Sequence, residues 1–146
     1  MMCQSQFETT ILSRVPPKSI LLVEDAPDVA EAVSGLLLRL GHGIVHAIDG
    51  RKALEEFKPG KFDLVITDYS MPRMNGVELA EIIKRRAPMQ PILMVTAFAF
   101  TLAAYDGRPL PVDAMLSKPF HARELNQTIE QLFSEKPVMA KVEAPE

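Results

Sequence analysis

The apolar positions of this chain fall into short unbroken runs separated by stretches with a helical repeat. Ile20-Leu-Leu-Val23, Leu64-Val-Ile66 and Pro91-Ile-Leu-Met-Val95 are runs of three or four apolar side chains bounded by turn residues, the pattern of strands buried on both faces. Gly43-Ile-Val-His-Ala47 reads as a weaker strand and Asp113 to Ser117 as a brief fifth one. Between them, Val29, Val33, Leu36, Leu37 and Leu40 recur at helical spacing after Glu24-Asp-Ala-Pro27 and stop at Gly41, which gives a helix with one buried face. A short helix carrying Ala53, Leu54 and Phe57 follows Asp49-Gly50 and ends at Pro59-Gly60. The next, Val77 to Arg86, turns Leu79, Ile82 and Ile83 inward, and the last, His121 to Phe133, presents Leu125, Ile129, Leu132 and Phe133. Phe98 to Tyr105 is apolar on all sides and is cut short by Asp106-Gly-Arg-Pro-Leu-Pro111, which predicts a short fourth helix and a loop. Gly35 interrupts a helix face and is expected to allow close packing.

Five strands alternating with five helical patterns at short spacing call for an α/β fold, a parallel sheet doubly wound with helices on both faces. The folded domain is expected over residues 18–135. An extension closing on Val15-Pro-Pro17 occupies 1–17, and a charged, proline-containing flexible tail occupies 136–146. A length of 146 residues, 47% of them hydrophobic and 24% charged, leaves room for one domain with a real core. The net charge of −3 argues against a protein that lives on nucleic-acid phosphates. The one basic cluster, Lys84-Arg-Arg86, suits a helix carboxyl end. No apolar stretch approaches the roughly 20 residues that span a bilayer. A single Cys3 excludes an internal disulfide, and a cytoplasmic protein is expected.

A parallel sheet brings all its strand ends to one rim, the place where open α/β sheets keep their ligands. Glu24 and Asp25 follow the first run, Asp68 the third, Thr96 the fourth and Lys118 the fifth. Three carboxylates together repel one another unless a cation sits among them, and oxygen ligands without histidine or cysteine suit Mg²⁺. An ammonium and a hydroxyl opposite would bind a phosphate. Acids, metal, hydroxyl and ammonium together are equipment for phosphoryl transfer. His42 and His46 have the spacing of a helical metal pair, but on a strand they would lie about 13 Å apart and hold nothing.

Val23-Glu-Asp25, Asp68-Tyr-Ser-Met-Pro-Arg-Met-Asn-Gly76, Thr96-Ala97 and Lys118-Pro-Phe120 resemble the receiver domains of two-component response regulators. The resemblance implies a flavodoxin-like sheet of order 2-1-3-4-5. It makes Asp68 the phosphoryl acceptor from a histidine kinase or histidine phosphotransfer protein. It gives Mg²⁺ to Asp25 and Asp68, to Glu24 through a water, and to the Ser70 backbone carbonyl. It sets Lys118 on the phosphoryl oxygens and makes Thr96 the hydroxyl that swings to them. The product is a stand-alone receiver that is not an enzyme and signals through phosphorylation-dependent protein contact.

Two departures stand out. The family usually has an aromatic residue where this chain has Met115, and it tends to carry charge on the fourth helix, where Phe98 to Tyr105 has none. Phe98, Phe100, Leu102 and Tyr105 are therefore either a candidate docking patch for an output protein or the side chains of a shortened helix sunk into the core. The alternative is a scaffold that keeps the fold and binds its partner without phosphorylation. A hydrolase or flavin protein on the same architecture is disfavoured, because Ser70 stands where a dehalogenase-like hydrolase wants a second acid and the first strand ends in acids that repel phosphate.

Overall fold

The computed structural model describes residues 15–97 and 109–134. Its elements run β1 (Ser19–Val23), α1 (Pro27–Arg39), β2 (Gly43–Ala47), α2 (Gly50–Glu56), β3 (Leu64–Asp68), α3 (Gly76–Arg86), β4 (Ile92–Thr96), β5 (Ala114–Ser117) and α4 (Ala122–Phe133). All strand pairs are parallel, and the sheet order is β2-β1-β3-β4-β5. The expected doubly wound sheet is present in the expected order. Phe98 to Tyr105, the expected short helix, lies outside the described residues.

Burial follows position in the sheet. Every residue of β3 and β4 is buried, as expected of central strands covered on both faces. The edge strands β2 and β5 are mostly half-buried or exposed, which is why their apolar runs are weak. Two cores result. Ile20, Leu22, Leu64, Ile66, Leu93 and Val95 point to the face covered by Val33 and Leu37 of α1 and Leu125 and Ile129 of α4. Leu21, Val23, Val65 and Ile92 point to the opposite face, covered by Ala53 of α2 and Leu79, Ala80 and Ile83 of α3. The alternation along each strand feeds the two layers in turn.

Several details differ from the pattern reading. In α3, Ala80 is fully buried, whereas Ile82 is only half-buried; the helix turns its small residue into the core beside Leu79 and Ile83. A Cβ on Gly35 would meet only the tip of Arg39, at 3.8 Å, so this glycine serves no close packing. Phe57 caps α2 instead of belonging to it, yet stays buried. Asp113 precedes β5 and is exposed at its entrance; its carboxylate accepts the Ile92 N–H and the Lys84 ammonium, each at 2.8 Å. Ahead of β1, Val15 is 9% exposed and packs into the α1/α4 core, while the Lys18 ammonium lies 4.4 Å from the Phe133 ring centroid.

Candidate phosphoryl-accepting site

Each site residue stands where a strand stops. β1 ends at Val23, and the next residue, Glu24, is held by its main chain: its N–H donates to the Ala47 carbonyl at 3.1 Å, and its carbonyl is 2.8 Å from His46 Nε2. The Glu24 side chain is therefore fixed over the sheet edge at 2% exposure. One of its oxygens accepts the Ala26 N–H at 3.2 Å and the other the Lys118 ammonium at 3.2 Å. Asp25, one residue on, is exposed.

Asp68 closes β3 and is 7% exposed. Oδ1 accepts the amide of Tyr69 at 2.7 Å and Oδ2 accepts Lys118 Nζ at 3.3 Å. The turn beyond it is tightly specified. Gly76 donates its N–H to the Tyr69 carbonyl at 2.8 Å. Asn75 and Glu78 form a reciprocal capping box at 2.9 Å in both directions. Arg73 adopts φ 68° and reaches Asp49, the cap of α2, at 3.7 Å. Ser70 lies exposed on this turn.

Thr96 ends β4 fully buried, and its carbonyl accepts the Lys118 N–H at 3.0 Å. The Lys118–Pro119 peptide is cis. Lys118 thus bridges Glu24 and Asp68, residues from two other strands, and offsets part of the repulsion between them. Burial nevertheless pushes the Glu24 carboxyl above its ordinary value, against the lowering by the Ala26 N–H and Lys118.

Carboxylate oxygens of Glu24, Asp25 and Asp68 all lie within 4.8 Å of one another. Only hard oxygen donors are in this group, and their spacing suits one small divalent cation held partly through water. The acids therefore fit a metal. Beside them, Val29, Ala32 and Leu36 of α1 face Lys118, Pro119 and Phe120 across an open apolar groove of about 530 Å³.

The sequence-predicted Glu24, Asp25, Asp68, Thr96 and Lys118 are thus gathered at one rim, with Ser70 on the adjoining turn. Sequence reasoning missed His46 as a neighbour of the site; its contact with the Glu24 carbonyl depends on β1 and β2 being neighbours, which nothing local to His46 signals. The tie between Arg73 and Asp49 was equally invisible, although Asp49-Gly50 is legible as a helix start.

Residues 20–130 match the model of the response regulator receiver domain, and the chain belongs to that family. It is 37% identical over 116 residues to the response regulator receiver protein CpdR of Brucella abortus, covering 79% of this chain and 96% of that relative. It spans just over half of the transcriptional regulatory protein YcbL of Bacillus subtilis, at 33% identity over 129 residues, 84% of this chain and 57% of the relative. Among solved structures it is similar to the response regulator TrrA of Thermotoga maritima in complex with Mg²⁺ and BeF, with a TM-score of 0.72, 31% identity, and 79% and 98% of the two chains covered. Among the described residues no helix is long and apolar enough to cross a membrane.

Proposed function

We infer that this protein is a cytoplasmic response regulator whose Asp68 takes a phosphoryl group from the phosphohistidine of a histidine kinase or a histidine phosphotransfer protein. It acts by binding an output protein in the phosphorylated state and turns over no substrate of its own. The observation that carries the reading is Lys118 Nζ at 3.2 Å from Glu24 and 3.3 Å from Asp68, which places a fixed cation beside a carboxylate at the end of a central strand. In the transfer, one Asp68 oxygen attacks phosphorus and the bond from phosphorus to the donor imidazole breaks, leaving an acyl phosphate and a free histidine. Little covalent help is needed from the protein; positioning and charge neutralisation dominate.

Glu24, Asp25, Asp68 and the Ser70 carbonyl are the residues that would hold Mg²⁺, which when bound supplies positive charge for the phosphoryl oxygens. Lys118 leaves its carboxylate partners for the incoming phosphoryl oxygens, and the Thr96 hydroxyl donates to them. The groove between α1 and Phe120 supports a protein donor: it is apolar and opens next to Lys118, which reaches Asp68. Output contact through Phe98 to Tyr105 is part of the same reading.

Beryllofluoride with Mg²⁺ tests it. The protein is expected to show a bound ¹⁹F resonance that Asp68→Asn abolishes, and to gain the mass of one phosphoryl group from a small phosphodonor. A wild-type protein that binds neither overturns the assignment and leaves the phosphorylation-independent scaffold.

A further inference from the structure

Tyr69 touches the acceptor with its main chain and the far side of the sheet with its ring. The amide donates to Asp68 Oδ1 at 2.7 Å. The half-buried ring packs against the buried pair Val77 and Met94, and Met115 of β5 packs against the same pair. Sheet register explains the meeting. Thr67, Met94 and Met115 lie side by side across β3, β4 and β5 on one face, and Tyr69 leaves β3 just beyond that row.

An N–H donated to an ionised carboxylate is a strong, charge-assisted bond. Once Asp68 carries a substituent, its charge moves outward and the oxygen facing Tyr69 becomes part of a neutral acyl group. The bond to the amide then weakens, which loosens the acceptor's hold on the Tyr69 backbone, while the Asp68 carbonyl of that peptide still accepts the Thr67 hydroxyl at 2.9 Å. On the other side of the Tyr69 Cα, the next peptide is tied through the Tyr69 carbonyl to Gly76 N–H at 2.8 Å, so this Cα is a pivot between the acceptor and the start of α3. A ring displaced there moves against methionine side chains, which are unbranched, polarizable and able to repack around an aromatic edge. Met115 itself has no group that senses charge, and Met94 is fully buried within β4.

We propose that Tyr69 carries the state of Asp68 to β5: its amide responds to the acceptor oxygen, and its ring resets Met94 and Met115. The inference rests on the phosphoacceptor reading above. It supplies the aromatic element that Met115 lacks from the neighbouring end of β3, one residue from the acceptor.

The test uses the whole chain with ¹³C-labelled methionine methyl groups, the Met94 and Met115 resonances being assigned with Met94→Leu and Met115→Leu. Occupancy by beryllofluoride and Mg²⁺ is read separately by ¹⁹F NMR, and spectra are compared at saturation. Both methyl resonances are expected to shift in the wild-type protein and in Tyr69→Phe, which keeps the ring. In Tyr69→Leu the response is expected to be lost at full ¹⁹F occupancy; Tyr69→Met serves as the ring-free variant should the leucine variant not fold. Wild-type methyl shifts that persist in the ring-free variant overturn the proposal, as does a wild-type protein whose methyl resonances ignore full occupancy. Absence of any bound ¹⁹F resonance overturns the phosphoacceptor reading, and the proposal with it.

Discussion

A Cβ placed on Gly76 would run into the Asp68 carbonyl oxygen and come within 3.0 Å of Met94 Cε, so the turn after Asp68 closes only on a bare α-carbon. Gly76→Ala is expected to cost about 1–3 kcal/mol, the usual penalty for forcing a methyl group into a packed site, and to weaken beryllofluoride binding by displacing Asp68; urea denaturation and ¹⁹F titration check the two effects. His42 behaves differently. It is 3% exposed, and its Nδ1 accepts the Lys18 N–H at 2.9 Å, an arrangement only the neutral ring can keep. Burial, with the Lys18 charge adding to it, holds its pKa below the ordinary 6.5. The unfolded chain therefore takes up this proton before the folded one does, and stability falls as pH drops below about 6.5 toward the folded-state value. His42→Asn, which keeps an acceptor and does not titrate, is expected to flatten that part of the stability profile in denaturant melts between neutral and mildly acid pH.

At the scale of elements, the helix that follows Asp68 is started by side chains. Asn75→Ala removes one half of the capping box and is expected to destabilise the protein by about 1 kcal/mol, seen as a lower urea midpoint with an unchanged slope. Such a box is readable in advance, because Asn75 and Glu78 stand three apart before an apolar repeat. The central strands are readable for a related reason: double-sided burial leaves no polar position to interrupt Leu64-Val-Ile66. What periodicity misreads is the choice between neighbours on a helix, as with Ala80 and Ile82, since apolarity alone does not say which of two nearby residues faces the core. The five strand-end residues of the site were legible as types at ends of runs. Their convergence needed the parallel sheet, and their bonds needed the strand order, which the receiver resemblance supplied and no local signal contains. Lys118 reaching Glu24, 94 residues away in sequence, belongs to that second class, as does His46 reaching the Glu24 carbonyl.

For the molecule as a whole, the proposed function predicts that Asp68 and the apolar groove near Lys118 make separable demands on a phosphodonor. Ala32 is exposed on α1 and lines the groove without touching the acids. Ala32→Glu would place a charge where a donor's apolar surface is to dock, and leaves the helix intact. Transfer from a phosphohistidine protein is expected to slow by about tenfold or more, an interface cost near 1.4 kcal/mol, while labelling by a small phosphodonor keeps its rate. Equal slowing with both donors would place the defect in the acids instead of in docking.

The opposite edge of the sheet gives this division a mechanical sense. Where β1 and β3 begin, Asp63 accepts the Ser19 N–H at 2.8 Å and donates its own N–H to the Ser19 carbonyl at 2.8 Å. Where β4 and β5 begin, Asp113 embraces Ile92 in the same way, again at 2.8 Å for both bonds. Two aspartates thus rivet neighbouring strands at their starts, with carboxylates engaged by peptide groups, while at the other rim Glu24 and Asp68 share the Lys118 ammonium. The strand pairs β1–β3 and β4–β5 are thus pinned in register at the end of the sheet far from the site.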